Sequence, residues 1–401
     1  MSTKHLTYLD SLRGLAALTV VFSHFTVLFW VKSKGIPQAY ALGELAVCLF
    51  FVLSGFVLSQ RFLGVEGMKW PLIEAVIKRP FRLLGVVWAT VILGILVSTL
   101  VHGISISQYG KTWLQFVIDF FISPFSTGAD YNGVLWTIRW ELWGSMLVFA
   151  ILLGCNNFPR YLRMLIFSVI LILNLHSYYG MFLFGMIIAD LHKNFYCGIL
   201  VRYRNLLSAV MVLITIGAGY LFYNQPVQAV AAAYIKNGLM TLVTVEIFII
   251  AMLNTVGFRT VLNWQPVNFL GNISYSFYAI HYLIMKTICE SVNTLLEQHM
   301  SRDIAWFGMV AISLPVIVFT AWMLDKYVDK VSIRLAAKIA QWAVSIITLE
   351  VAMRGPELKL IVMLRIPSNL LRLFLNRRKN ISSIINGTMQ LCVIRNNQIK
   401  R

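Results

Sequence analysis

Charged residues are scarce in this chain. They make up 12% of its 401 residues, while hydrophobic residues make up 59% and the mean hydropathy is +0.75. A soluble domain cannot bury that much apolar surface. The composition therefore excludes a soluble protein and predicts an all-α, polytopic integral membrane helix bundle.

Several sequence motifs are also missing. There is no Walker loop, GxGxxG, GxSxG or HExxH, which excludes nucleotide-driven pumping and the familiar soluble hydrolase mechanisms. The cysteines have no CxxC or paired spacing, so we expect packing residues rather than disulfides or metal ligands, and no metal site. They are Cys48, Cys155, Cys197, Cys289 and Cys392.

What the chain does have is a series of long apolar stretches. About ten of them are candidate transmembrane helices, the two near residues 161–192 being short. They lie near 12–31, 41–60, 83–102, 133–154, 161–175, 177–192, 206–223, 235–253, 269–290 and 304–325. A shorter apolar piece, Trp113 to Ile122, contains Asp119 and predicts an interfacial or re-entrant helix.

The placement of Lys and Arg predicts the orientation. With the N-terminus inside, the inner side before the tail carries thirteen basic residues and the outer loops carry five. This asymmetry favours cytoplasmic N- and C-termini for an even number of helices. The first apolar run has full span length and no cleavage site, which argues against a signal peptide. The simplest location is a bacterial inner membrane.

The net charge of +18 arises largely in the tail. Of the 34 basic residues, 14 follow Leu324. Apolar and basic stretches alternate there, which is typical of a helix lying on an anionic inner leaflet, so we expect no nucleic-acid partner. The alternative is a disordered basic tail. We predict a membrane domain at residues 1–335 and a basic cytoplasmic tail at 336–401.

The first apolar stretch carries two unusual residues, Arg13 and His24. They are eleven residues apart, about three helical turns, so they share one face at a separation of roughly 16 Å. An ionisable group inside a span is costly and is usually functional. The alternative is a histidine that is only hydrogen-bonded between helices.

Arg79 and Arg82 lie in a predicted inner loop, three residues apart, and on a helical turn they would face the same side. Arginine forks bind phosphate oxygens, so this pair would suit a phosphorylated donor at the cytoplasmic mouth. The alternative is ordinary anchoring to lipid headgroups.

Two further ionisable side chains are predicted inside the membrane, Glu141 and His281. Helix rise places His24, Glu141 and His281 at one depth, roughly 16 to 18 Å from the inner surface. Three such groups at one level favour a reaction site. For Glu141 the alternative is a structural partnership with Arg139 or another hydrogen bond within the bundle.

The segments YLDSLRGLAALTVVFSHF, GELAVCLFFVLSGFVLS, RPFR, LWTIRWELWG and LGNISYSFYAIH, in this order, resemble the membrane acyltransferase 3 family. The resemblance covers residues 8 to about 335 and implies a stand-alone member without an SGNH domain. Such proteins transfer acyl groups, often acetyl from acyl-CoA, to envelope carbohydrates. The Arg-x10-His and Arg-x-x-Arg signatures of the family fall on Arg13, His24, Arg79 and Arg82.

The chain departs from the family pattern at two places. Gly85 replaces a proline, and Asp329-Lys330-Val331 lacks the proline of an acidic-proline element. We expect neither departure to affect the chemistry.

We hypothesise that Arg13, Arg79 and Arg82 form a cationic mouth on the inner face for the phosphates of acyl-CoA. The pantetheine arm would follow helix one to His24, the general base or acyl carrier. Asp10 would orient Arg13, and Glu141 and His281 would position the acceptor or stabilise an imidazolium. Tyr275 and Tyr278 are candidate hydrogen-bond donors, with aromatic packing as the alternative.

Two other function classes remain open at this stage. One is a proton-coupled secondary transporter or flippase with a His24, Glu141 and His281 relay, and the other is a membrane scaffold. A transporter would not explain the paired arginines, and a scaffold would not explain the ionisable groups within the membrane. The expected partners of the enzyme are acyl-CoA, a hydroxylated envelope glycan such as O-antigen or exopolysaccharide, and membrane lipid.

Overall fold

The computed structural model describes residues 7–30, 37–65, 67–102, 120–122, 125, 132–194 and 260–354. Within these ranges the regular structure is helical and no strand occurs, which confirms the all-α class. The helices are α1 (Thr7–Phe25), α2 (Pro37–Phe62), α3 (Lys69–His102), α4 (Trp136–Cys155), α5 (Arg160–Leu173), α6 (Tyr178–Asn194), α7 (Gln265–Ile284), α8 (Glu290–Glu297), α9 (Arg302–Leu324) and α10 (Lys330–Arg354).

Five helical stretches of the described chain are long and apolar enough to cross a membrane. They are Thr7–Phe29, Leu42–Phe62, Lys69–Val97, Gly133–Cys155 and Arg302–Thr348. The short segments predicted near 161–175 and 177–192 form α5 and α6, and the one near 269–290 begins as α7. The segments at 206–223 and 235–253, and the start of the Trp113 piece, lie outside the described residues. The total of ten spans therefore stays a prediction.

α3 begins earlier in the chain than the sequence predicts. The helix begins at Lys69 rather than near residue 83, so Arg79 and Arg82 lie inside a helix and not in a loop. Hydropathy alone predicts a later start because the apolar stretch begins only after these charged residues. The folded bundle accepts them because a carboxylate of α4 meets Arg79 and a cavity opens beside Arg82. Pro80 is also tolerated within this helix.

Close helix crossings hold the centre of the bundle. A Cβ on Gly14 of α1 would lie 2.5 Å from the backbone nitrogen of Gly271 in α7, so this crossing requires glycine. Gly185 of α6 approaches the backbone of α2 in the same way. Small residues allow membrane helices to approach closely enough for extensive van der Waals contact. The first crossing sets α1 against α7 along the length that carries His24.

The described part of the bundle contains three π-helical turns. They are Thr26–Trp30 after α1, Met285–Cys289 between α7 and α8, and Asp325–Asp329 between α9 and α10. Such turns occur frequently at functional sites. Each of these adjoins a side chain considered below.

The chain divides into two units, Met1–Ile339 and Ala340–Arg401. The candidate site lies wholly in the first. Because residues 355–401 lie outside the described part, the division at 335/336 and the nature of the tail stay predictions. Of the cysteines, Cys48, Cys155 and Cys289 are free thiols, and Cys197 and Cys392 are not among the described residues.

Candidate active site

A cavity of about 200 Å³ opens among α1, α2, α3, α4 and α7. It gathers residues that are far apart in sequence, including all three arginines singled out above. Its polar and aromatic lining includes Asp10, Arg13, Ser54, Arg79, Arg82, Thr137, Glu141, Asn272, Ser274, Tyr275, Tyr278 and Asp329. We call this space the arginine cavity.

Arg79 is held by a buried ion pair in the arginine cavity. Its Nη2 contacts Oε1 of Glu141, and its Nε donates to Oγ of Ser145 at 3.0 Å. Ser54 of α2 donates to the same Glu141 oxygen at 2.8 Å. The side chains of Arg79 and Glu141 are only 10% and 15% exposed. A buried charge that loses its partner is strongly destabilising, so this pair fixes α3 against α4.

Arg82 differs from Arg79. Its side chain is exposed, and it makes no hydrogen bond or ion pair with any residue that the structure describes. The spacing of three residues does bring both arginines to the arginine cavity. Of the three arginines, only Arg82 makes no close contact there with a described carboxylate, although its charge acts on that of Asp329.

The arginine cavity carries carboxylates as well as arginines, so it is not the purely cationic mouth that was expected. Arg13 contacts Asp10 at 3.3 Å. Asp329, in the third π turn, is 6% exposed, and its Oδ1 has no hydrogen-bond partner among the described residues. Asp329, the acidic residue of the acidic-proline element, therefore lies at the site, whereas Val331, which stands where the family has the proline, is not part of the cavity lining. The third helix meets the same π-turn region where Gly85 packs against Ser332.

His24 and His281 form a contacting pair where α1 ends. Their ring centroids are 5.1 Å apart, and Nε2 of His281 lies 3.4 Å from Nδ1 of His24. His281 is fully buried, whereas His24 is half-buried. Both residues are candidates from the sequence. Their direct contact, between residues 257 positions apart, arises because α1 crosses α7 and is seen only in the structure.

Backbone carbonyls determine which nitrogen of each imidazole carries the proton. Nδ1 of His24 donates to the carbonyl of Val20 at 2.9 Å, and Nδ1 of His281 donates to that of Tyr278 at 2.6 Å. Both neutral rings are therefore protonated on Nδ1. The same Nδ1–H of His24 lies 3.4 Å from Nε2 of His281, so the carbonyl of Val20 and His281 share this one donor. Nε2 of His24 keeps an unshared lone pair with no hydrogen-bond partner in the described chain. An unprotonated ring nitrogen on a histidine whose ring is held by a second residue is the arrangement typical of a general base.

Glu141 does not join the histidines. Thr137, one turn before Glu141 on α4, donates to the hydroxyl of Tyr278, one turn before His281 on α7. Because Gly133, before Thr137, packs against Tyr282, which follows Tyr278 on α7, the two segments run in opposite directions here. Glu141 and His281 therefore lie on opposite sides of the Thr137–Tyr278 contact. The expected common depth of His24, Glu141 and His281 is wrong for Glu141.

Of the two structural alternatives for Glu141, the partnership with Arg139 is wrong, whereas hydrogen bonding within the bundle is present. The partner of Glu141 is Arg79, while the guanidinium of Arg139 stacks over Trp140 at 4.8 Å from the ring centroid. Residues two apart on a helix point to different faces, and this separates Arg139 from Glu141.

Tyr278 forms the partition between the arginine cavity and the histidine pair. It lines the cavity on one side, and its ring centroid lies 5.7 Å from that of His281. Its hydroxyl bonds to the carbonyl of Val134 at 3.2 Å as well as to Thr137. Neither histidine is in the cavity lining, so the arginine cavity reaches Tyr278 but does not include the expected continuation from Arg13 to His24. Tyr275 also lines the cavity and donates to the carbonyl of Leu83 at 2.7 Å.

The partition leads to a testable expectation. Replacing Tyr278 with alanine should connect the arginine cavity to the histidine pair and admit water to Nε2 of His24. We expect the ratio of acceptor-independent thioester hydrolysis to productive transfer to rise, because excluding water is what suppresses such side reactions. Thiol release and ester formation, measured in parallel, give this ratio. An unchanged ratio in a folded Tyr278→Ala protein would contradict the partition.

Sequence reasoning did not single out Glu44, a partly buried carboxylate on α2. Glu44 on α2 accepts a hydrogen bond from the hydroxyl of Tyr178, whose ring packs edge-on against Phe51 and Trp140. Next to Glu44, Gly43 packs against Ser23, the neighbour of His24. The signal was present, because an acidic residue inside the predicted span at 41–60 is itself a reason to suspect function.

The fold and the site define an all-α integral membrane protein with a cavity lined by arginines and a histidine pair within one bundle. The sequence model of the acyltransferase 3 family, described as an acyltransferase domain, matches residues 6–326. The chain therefore belongs to this family and is a membrane acyltransferase that transfers groups other than amino-acyl groups. Comparison with curated proteins gives no match, and comparison with solved structures gives none either.

Proposed function

We propose that this acyltransferase transfers an acyl group, with acetyl as the expected one, from cytoplasmic acyl-CoA to a hydroxyl of a cell-envelope carbohydrate such as O-antigen or exopolysaccharide. One observation carries the proposal. An exposed arginine that makes no close contact with a described carboxylate opens onto a cavity whose far wall, Tyr278, separates it from a histidine with a free lone pair.

In this proposal, Arg82 binds a phosphate of the donor. A free guanidinium presents a donor fork that matches phosphate oxygens, and Arg13 adds a second guanidinium in the same lining. The arginine cavity, at about 200 Å³, is smaller than the roughly 300–1,000 Å³ of pockets that enclose drug-sized ligands. It would therefore admit only the thin pantetheine arm, with the nucleotide part remaining outside.

Tyr278 then has to swing away for the thioester to meet His24. Nε2 of His24 takes the proton of the acceptor hydroxyl while the hydroxyl oxygen attacks the thioester carbonyl. The carbon–sulfur bond breaks, an ester forms, and the imidazolium returns the proton to the leaving sulfur as the free thiol. No covalent enzyme intermediate is needed.

His281 is the positioning residue for this base. Its Nε2 accepts from Nδ1–H of His24, so it holds the ring and stabilises the imidazolium that forms during transfer. Glu141 acts at a different place, by fixing Arg79 beside the donor site. We therefore assign Glu141 to the donor side and not to proton transfer.

The proposed orientation places the arginine cavity at the cytoplasmic side of a bacterial inner membrane, as the Lys and Arg distribution indicates. Acyl-CoA is available there. The acceptor would approach from the other side, so that transfer takes place through the interior of the bundle.

Mass spectrometry of envelope glycans from cells with and without the gene tests the proposal. We expect O-acyl groups to be lost with the gene and restored by the wild-type chain. Identical O-acylation in both strains would contradict the proposal. Proton-coupled uptake by proteoliposomes that contain no acyl-CoA would also contradict it and favour a transporter.

A further inference from the structure

A second cavity, of about 400 Å³, lies at the other end of α1 from Arg13. Its walls come from the π turn after His24 and from α8 with the start of α9. The lining residues are Leu28, Phe29, Glu290, Asn293, Thr294, Glu297, Met300 and Arg302. We call it the α8 cavity.

The α8 cavity lies close to the proposed base. Leu28 is four residues beyond His24, about one turn or roughly 6 Å along the helix. On the opposite wall, α8 continues α7 through the π turn Met285–Cys289, so the chain that carries His281 also forms the cavity. The arginine cavity and the α8 cavity therefore approach the histidine pair from opposite ends.

The polarity of the α8 cavity is unusual for an apolar bundle. Asn293 is buried, with 9% exposure, and its Nδ2 donates to Oε1 of Glu297 at 3.0 Å. Its Oδ1 is buried and has no hydrogen-bond partner in the described part of the chain. A buried acceptor without a partner is costly, and Asn293, which carries this one, is part of the lining of a cavity large enough for a small ligand.

The other polar groups indicate what ligand would fit. Glu290 and Glu297 offer carboxylate oxygens, which accept hydrogen bonds from hydroxyl groups, while Arg302 already donates to the carbonyl of Phe29. Two carboxylates against one guanidinium leave the cavity negative, which disfavours an anionic ligand. Leu28, Phe29 and Met300 supply apolar surface for the face of a sugar ring.

We propose that the α8 cavity binds the acceptor, a neutral or amino sugar unit whose hydroxyl is presented to Nε2 of His24. This inference rests on the proposed function and adds the site and charge class of the acceptor. It predicts that acidic sugars, such as uronic acids, are poor acceptors.

The test uses the full chain in lipid nanodiscs with labelled acetyl-CoA and, as acceptor, the carbohydrate fraction extracted from the envelope of cells lacking the gene. Asn293→Leu keeps the side-chain volume and removes both polar atoms. We expect it to raise the KM for the carbohydrate fraction by about tenfold, because the acceptor loses a buried hydrogen bond. The KM for acetyl-CoA should stay unchanged.

Gln298→Leu is the matched control, because Gln298 is exposed, immediately follows α8 and lies outside the α8 cavity. Should Asn293→Leu fail to fold, Glu297→Gln keeps an acceptor for Asn293 and removes only the charge. It should raise the same KM by about threefold, since hydrogen bonds to charged groups are the stronger ones. Neither substitution should alter the dependence on acetyl-CoA.

The outcomes separate the two proposals. Transfer by the wild-type chain with an unchanged carbohydrate KM in the cavity variants would overturn the acceptor site alone. Efficient transfer to uronic-acid fractions but not to neutral ones would also overturn it. Absence of any transfer by the wild-type chain would instead overturn the proposed function.

Discussion

Replacing His24 with alanine should lower acyl transfer by about 10²–10⁴-fold, the usual contribution of a general base. Nε2 of His24 is the unshared nitrogen of the histidine pair, and no other described residue offers an equivalent base next to both cavities. Transfer of label from acyl-CoA to carbohydrate, at matched protein levels in the membrane, measures the effect.

His176→Ala is the matched control, since His176 is an exposed histidine in the turn between α5 and α6. It should transfer at the wild-type rate. His281→Ala should retain more activity than His24→Ala, because His281 orients the base without taking the proton. Wild-type transfer by a folded His24→Ala protein would remove the proposed base.

The second large effect separates the two arginines of the Arg-x-x-Arg signature. Arg79→Ala leaves the carboxylate of Glu141 buried without its cation, so we expect a loss of stability of about 3–5 kcal/mol. Arg82→Ala should leave stability unchanged, because Arg82 is exposed and makes no ion pair in the described chain. Instead it should raise the KM for acyl-CoA. Thermal unfolding in detergent and donor titration distinguish the two.

A double variant tests the structural role of the ion pair. Replacing Arg79 and Glu141 together with Met and Leu should recover most of the stability, since an apolar pair of similar volume often substitutes for a buried ion pair. For Arg82, raising the ionic strength should raise the acyl-CoA KM of the wild type more than that of Arg82→Ala. If Arg82→Ala lowers turnover at saturating donor without changing this KM, its phosphate role is wrong.

These expectations revise a simpler interpretation of the signature. Spacing alone treats Arg79 and Arg82 as one bidentate pair, since residues three apart share a helix face. Both do line the arginine cavity. The difference between them arises from α4, which brings Glu141 and Ser145 to Arg79 and nothing comparable to Arg82. A partner 62 positions away cannot be read from local spacing.

The sequence by itself determined the class of the protein. Composition and long apolar runs require a helical membrane protein, because in lipid the backbone must satisfy its own hydrogen bonds. The ordered motifs identified the family, and ionisable residues within apolar helices indicated the candidate site. These signals are local, so they can be read along the chain.

Only the tertiary structure decided how those residues are grouped. The crossing at Gly14 and Gly271 brings His24 onto His281, whereas Glu141 goes to Arg79. The membrane depth of Glu141 was estimated from the predicted ends of its helix. An error of one turn in such an end moves a side chain by about 5 Å, which exceeds the length of a hydrogen bond. Asp329 joined the arginine cavity through a π turn that hydropathy does not reveal. Pairing depends on which helices are neighbours, and that is settled by packing over the whole bundle.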